Sequence, residues 1–394
     1  MIKLKNLKNR DVNYLSSVEK IYADHAATSP LSEVALRAML PYLTDEYGNP
    51  STLYSSARKP QEAVKEARKT VAELIGARED EIYFTSCGTE SDNWAIKGTA
   101  LHFIRQVRMK IITDCIEHHA VLRSCSSLEK LGIETEYLPV DESGVVSPKA
   151  LEKKLSERVF LVSIMMANNE IGTLEPIREL ATLAHRCGAL FHTDAVQAVG
   201  HVPVNVRELG VDMLSASAHK FNGPKGVGFL FIRRGTRLEP LLSGGAQERG
   251  FRAGTENVAG IVGLAAALKE NCASLEQSRG YLCALSTHFI EKVREAGMAC
   301  RLNGAEDRVP GNVSLSFKYS DGERILHRLD LMGIQVGTGS ACNSHEKVLS
   351  HVIRAIGVPH EYAYGTVRFS FGKENTFEEI EKIVQALKKI LGNS

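Results

Sequence analysis

Several short segments of this chain combine residue types that can do chemistry, and most fall in a turn that follows a β-rich run. In SASAHKFNGPKGVGFLF, Lys220 stands beside His219 in a Ser/Gly-rich turn between two such runs. A lysine held close to an anion, a flat ring and apolar walls sheds its proton and acts as an amine nucleophile. Lys225 in the same turn is the rival candidate, and a solvated turn lysine is the plain alternative for either. In ALFHTDAVQAVG, Asp194 closes an apolar strand, where a carboxylate is costly to bury unless it meets a cation such as a protonated ring nitrogen. An N-cap for the following helix is an equal alternative. Gln197, one helical step on, is placed to donate to an oxygen of the same ring.

Four further segments converge on small-molecule chemistry. EIYFT-SCGTESDN puts Gly88 and Thr89 between a strand and a helix, so free N–H groups and a hydroxyl face one spot suited to phosphate; a plain Ser/Thr N-cap with Glu90 behind it competes with that reading. DCIEHHAVL sets His118 and His119 after a strand, where an imidazole can stack on a flat ring or move protons near neutral pH. Cys115 nearby raises a metal site as the lesser alternative, but carboxylate and second-pair ligands are missing at helical spacing, so no metal is expected. In TVRFSFG, Arg368 sits within an alternating strand, a position that calls for a carboxylate partner, either a ligand's or a structural one. VGTGSACNSHEKV surrounds Cys342 with glycines and small residues, the composition of a mobile loop with an accessible thiol.

The elements that would hold these groups read as an α/β fold. From Pro60 the chain alternates helix and strand: PQEAVKEARKTVAELIG has apolar residues at helical spacing, and EIYFT, MKIIT, IETEYL, VFLVSIM, ALFHT, DMLSAS and GVGFLFI follow as strands between helical segments. That is the βαβ pattern of a mostly parallel sheet flanked by helices, whose ligands gather at the carboxyl ends of the strands. Residues 30–255 form the expected large domain. A long helical stretch from about Glu256 to Gly297 leads into a small α+β domain, which residues 256–394 build with the N-terminal segment 1–29.

Bulk properties exclude several classes. A chain of 394 residues is long enough for a large domain plus a smaller one. Lys+Arg 48 against Asp+Glu 47 leaves a formal charge of +1, which removes bulk attraction to nucleic acid or anionic membrane. The eight cysteines are scattered with no Cys-x-x-Cys pair, which speaks against a zinc ribbon or a disulfide scaffold and for a reduced, cytoplasmic setting. The basic N-terminus has no continuous apolar stretch of the secretory kind.

Taken together, YADHAATSP, YGNPST, FTSCGTESDN, EHHAVL, MANNEIG, HTDAVQ, SAHKFNGPKGVG, GGAQERGFRAGTEN, GSACNS and VRFSFG occur in the order found in one family. From about Ile21 onward the chain resembles the cysteine desulfurases of the NifS/IscS type, within the class V, fold type I, pyridoxal-phosphate enzymes. The resemblance implies that Lys220 carries pyridoxal 5'-phosphate as a Schiff base, Asp194 pairs with the pyridinium nitrogen and Gln197 contacts the phenolic oxygen. It further implies that His118 stacks on the ring and assists proton transfer, while Gly88, Thr89, Ser217 and His219 cradle the phosphate. Asn169 would lie near ring and substrate, and Arg368 with Asn49 would clamp the carboxylate of L-cysteine. Thr255 matches a phosphate ligand supplied across a homodimer. Cys342 matches the persulfide-forming nucleophile, with a GSAC setting like the long-loop group.

The implied reaction removes sulfur from L-cysteine, gives L-alanine and leaves a persulfide on Cys342 for an acceptor protein, with iron-sulfur cluster assembly one destination. A selenocysteine lyase or another pyridoxal-phosphate β-lyase is the nearest alternative, since it needs the same lysine but no persulfide. A catalytically silent scaffold is a more distant one. The chain departs from the family pattern at Asn343, where Thr is usual, at Leu349, where a Pro-Ser pair is common, and at Cys87, which replaces a small residue in the phosphate turn. It also ends at LGNS, short of the longer tail of some relatives, and carries an N-terminal extension.

Overall fold

The computed structural model describes residues 20–104, 108–339 and 349–392. Its strands, in chain order, are β1 (Ile21–Tyr22), β2 (Ile82–Thr85), β3 (Lys110–Asp114), β4 (Glu134–Leu138), β5 (Val159–Ser163), β6 (Leu190–Asp194), β7 (Met213–Ser217), β8 (Gly228–Ile232), β9 (Cys300–Asn303), β10 (Asn312–Phe317), β11 (Ile334–Gln335) and β12 (Thr366–Ser370). The apolar runs of the sequence thus form strands as expected, within a residue or two at their ends.

A seven-stranded sheet runs in the order β2-β8-β7-β6-β5-β3-β4. Its pairs are parallel except at β8, which runs antiparallel to both β7 and β2. The sheet is therefore mostly parallel, with helices on both faces. Side chains alternate across it at period two: Ile82 and Phe84 of β2 enter the larger core with Phe229 and Phe231 of β8, whereas Tyr83 and Leu230 enter a second layer around Trp94. Both faces being covered, β5, β7 and β8 are buried along their whole length, which is why their sequences read as continuous apolar runs. Because β2 runs parallel to β7, the carboxyl ends of β2, β3, β5, β6 and β7 all open on one edge.

The long helical stretch expected from Glu256 to Gly297 is instead two helices, Val258–Ala273 and Leu275–Glu295, bent by 72° where they meet. The cause is that the two halves bury different faces. Ile261, Leu264 and Leu268 of the first pack in the larger core, against the helices Glu33–Leu43 and Arg58–Leu74. Leu285, Phe289 and Val293 of the second pack against the antiparallel sheet β12-β10-β9, whose core includes Val313, Leu315, Val367 and Phe369. Among the described residues no single helix is long and apolar enough to cross a membrane. The chain's start also belongs to this second core: β1 pairs in parallel with β11, and Ile21 and Ala23 are buried in it. Residues 24–29 then cross to the carboxyl edge of the large sheet, where Ser29 accepts the Asn222 amide and donates to the His219 carbonyl.

Candidate active site

A cavity of about 380 Å³ opens at that edge. Turns that follow five strands line it: Gly88 and Thr89 after β2, His118 after β3, Asn169 beyond β5, Asp194 and Gln197 at the end of β6, and Ser217, His219 and Lys220 at the end of β7. Arg368 of β12 closes it from the smaller sheet, and Ala26 and Ala27 from the N-terminal crossing segment. The volume is in the range that small-molecule ligands occupy.

Lys220 is held by backbone: its Nζ donates to the carbonyls of Ala26 at 2.6 Å and Ala27 at 2.9 Å. Among the described residues no carboxylate forms an ion pair with it. Burial, with the Arg368 guanidinium adding to it, pushes the ammonium down to about 8, so a substantial fraction is free amine just above neutral pH. The rival Lys225 is exposed and does not line the cavity.

Three of the lining groups have ligand atoms all within 4.8 Å of one another: Asp92, His118 and Asp194. Asp194 Oδ1 accepts the Val196 N–H at 2.9 Å, so the carboxylate does turn the chain as a local cap, while the same group faces the cavity. Burial raises both acids, and the Asp194 charge raises Asp92 further. Asp194 has the Lys220 charge and the Val196 N–H in its favour; Asp92 Oδ1, among the described residues, has no hydrogen-bond partner. Asp92 is therefore the neutral member and Asp194 the anion, a residual negative charge waiting for a cation. His118 Nδ1 accepts the Ala120 N–H at 3.1 Å, capping the helix His119–Leu128. That bond leaves Nε2 as the nitrogen that carries and exchanges a proton in the neutral ring. It also argues against a metal here, because a neutral imidazole that binds a cation through Nε2 needs its proton on Nδ1.

At the other end, two observations mark an anion cradle. The Ser217 hydroxyl is buried with no partner among the described residues, and Gly88 leaves a space that a Cβ would fill, 2.5 Å from Val196 Cγ2 and 3.5 Å from Ser217 Cβ. An unpaired buried hydroxyl costs free energy unless a ligand oxygen meets it. His219 shares the rim, its Nδ1 3.1 Å from Thr28 Oγ1, and burial pushes its imidazole down to about 4, so it enters the site neutral. Cys87 lines the cavity beside Gly88.

On the substrate side Arg368 donates to the Asn169 carbonyl at 2.9 Å and pairs with Asp24, while its Nε is buried and unpaired. Of the two partners that its sequence position allowed, the structure shows the structural carboxylate, Asp24, while the guanidinium also lines the cavity. Gln197 Nε2 donates to the Ala26 carbonyl at 2.9 Å.

Two expected residues lie away from the cavity lining. Asn49 accepts the Ser51 N–H in its own turn, and Thr255 is exposed at the end of an irregular segment. That segment is tied by ion pairs to the helix after the phosphate turn, through Arg252 with Glu90, and to the helix Arg58–Leu74, through Glu248 with Arg68 on two 2.7 Å bonds. Cys342 and Asn343 lie outside the described residues; Leu349 is partly buried against the Ile116, Met165 and Val352 cluster. Sequence reasoning missed Asp92, Asp24 and the Ala26 and Ala27 carbonyls. Asp92 was within reach, since it lies one helical turn after Gly88 in GTESD and so shares its face.

Comparison with known proteins identifies the family. The aminotransferase class-V family model matches residues 21–383. Over 374 residues the chain is 50% identical to the cysteine desulfurase IscS of Dictyoglomus turgidum, covering 94% of each chain. Among solved structures, a NifS-like protein superposes with a TM-score of 0.90 at 37% identity, over 95% of this chain and 100% of that one. A structure of SspA in complex with cysteine gives 0.80 at 33% identity, over 91% and 100%. The protein therefore belongs to the aminotransferase class-V family and, within it, to the cysteine desulfurases, enzymes that depend on pyridoxal phosphate.

Proposed function

We propose that the chain removes sulfur from L-cysteine at the cavity around Lys220, releases L-alanine, and keeps the sulfur as a persulfide on Cys342. The observation that carries this reading is the meeting, in one cavity, of a lysine lowered to about 8, a buried anionic Asp194 and the unpartnered Ser217 hydroxyl. Those groups fit pyridoxal phosphate at its aldehyde, ring-nitrogen and phosphate ends respectively. Bound there, the cofactor supplies an electron sink for loss of the substrate Cα proton.

The remaining work falls to the chain's own residues. Lys220 as free amine holds the cofactor and, once displaced by substrate, carries a proton. His118 exchanges a second proton at Nε2, since its Nδ1 is held by Ala120. Asp194 keeps the ring nitrogen protonated, and the neutral Asp92 behind it prevents a second negative charge from building up. Gly88, Thr89, Ser217 and His219 bind the phosphate, with Gln197 at the phenolic oxygen and Asn169 near the ring. Arg368, which lines the cavity, binds the substrate carboxylate. The Cys342 thiolate attacks the substrate sulfur: an S–S bond forms, the C–S bond breaks, and its electron pair leaves with the alanine moiety.

A homodimer is part of the proposal, because Thr255 is exposed and outside its own chain's cavity, as a residue serving a neighbouring site would be. So are a cytoplasmic setting, an acceptor protein for the sulfur and a place in iron-sulfur assembly. Sulfide release from L-cysteine by the Cys342→Ala variant tests the reading: its loss is expected, and release at the wild-type rate would return the protein to the β-lyases.

A further inference from the structure

The Asn168-Asn169-Glu170 turn carries one residue that the reaction above does not use. Glu170 is buried, and its Oε2 accepts a 2.6 Å hydrogen bond from the hydroxyl of Ser350. The same carboxylate packs against Gly339, so closely that a Cβ there would collide with Oε2. Gly339 and Ser350 lie on either side of the segment that holds Cys342. One carboxylate thus touches the chain before and after the proposed nucleophile.

The neighbouring contacts lead back to the cavity. Gly337 pairs with Arg368 through both backbone bonds, at 3.0 and 2.8 Å, and a Cβ on Gly337 would meet the Arg368 guanidinium and Asp24 at 2.6 Å. Arg368 in turn donates to the carbonyl of Asn169, the residue before Glu170. The run Gly337-Thr338-Gly339 is therefore laid across the substrate clamp and the Glu170 carboxylate, and each glycine is required by the close approach. Ser350 also caps the helix His351–Ala355 by accepting the Val352 and Ile353 N–H groups, so the far end is fixed to a rigid element. Cys342 follows Gly339 by three residues, and three residues of chain reach at most about 11 Å. Where Gly339 is held sets where the thiol can go.

We infer that Glu170 is a positioning residue for sulfur transfer: its carboxylate holds Gly339 and Ser350, the described residues that flank the segment carrying Cys342, and so limits how far the thiol can lie from the bound substrate. This rests on the desulfurase reading above. It concerns the second half of the reaction only, because Glu170 lies outside the set of groups lining the cofactor cavity.

The test separates the two halves in the holoenzyme. L-alanine, which has the carboxylate and amine but no sulfur, is titrated against the visible absorbance of the bound cofactor; persulfide on Cys342 is followed in a single turnover by thiol labelling and mass spectrometry. Glu170→Ala is expected to bind L-alanine as the wild type does and to form persulfide about 10-fold to 100-fold more slowly, the scale of a misplaced reacting group. Glu170→Gln, which keeps an acceptor for Ser350, should recover most of the rate. Gly339→Ala, which pushes on the carboxylate without removing it, should reproduce the Glu170→Ala split if that variant folds poorly. Equal losses in both measurements, or persulfide formation at the wild-type rate in Glu170→Ala and Gly339→Ala, would overturn the inference. Failure of the underlying reading is visible separately, as persulfide-independent sulfide release by Cys342→Ala with Glu170 intact.

Discussion

Lys220 and Gln197 share an acceptor: both side chains donate to the Ala26 carbonyl, at 2.6 and 2.9 Å. The N-terminal crossing segment, not a carboxylate, therefore holds the amine, and burial is left free to lower it to about 8. Only the free amine attacks an aldehyde. Covalent capture of pyridoxal phosphate by cofactor-free protein, trapped by borohydride reduction, should rise about tenfold per pH unit below 8 and level off above it. A rise that continues to the ordinary lysine range, near 10.5, would mean that Lys220 is not depressed.

The phosphate end gives a second expectation. Ser217→Ala removes a hydroxyl that has no protein partner, so it should leave folding unchanged and weaken pyridoxal phosphate binding by about tenfold, the value of one hydrogen bond to a charged group. Gly88→Ala should weaken it further, because its Cβ meets Val196 and occupies the cradle. Equilibrium titration of cofactor-free protein measures both.

Arg368 is held by Asp24 and the Asn169 carbonyl and lines the cavity. Arg368→Lys preserves the charge but loses the fork. KM for L-cysteine should rise by about 10-fold to 100-fold while the cofactor's absorbance and affinity hold. A fall in kcat with KM unchanged would assign Arg368 to the transition state rather than to substrate binding.

The segment that carries Thr255 is anchored by a buried ion pair. Glu248 makes two 2.7 Å bonds to Arg68, accepts the Phe84 N–H at 3.0 Å, and sits at a positive φ of 44° that a non-glycine residue adopts only under such constraint. Glu248→Ala strands the Arg68 charge and should cost about 3 kcal/mol in denaturant unfolding.

Much of this site was legible in the sequence, for a physical reason. A parallel sheet covered on both faces writes its strands as apolar runs, so the residues that follow each run must gather at one edge. Gly88, His118, Asp194 and Lys220 do so. The choice between Lys220 and Lys225 was not legible from spacing, because both lie in one turn; burial separates them. Nor was the bend at Ser274, since the apolar residues of 258–273 and 275–295 read as one helical pattern until two cores claim them. Those first sixteen residues, assigned from sequence to the small domain, pack on the large one. The partners of Arg368 and Glu170 come from segments far off in the chain, a relation that periodicity does not encode.

The most direct test of the central claim is one turnover. Holoenzyme is mixed with L-cysteine without reductant, alanine is counted, and the persulfide is mapped by mass spectrometry. The account predicts one alanine for each persulfide, with the added sulfur on Cys342. Alanine formed with Cys342 unmodified, or undiminished in Cys342→Ala, would contradict it.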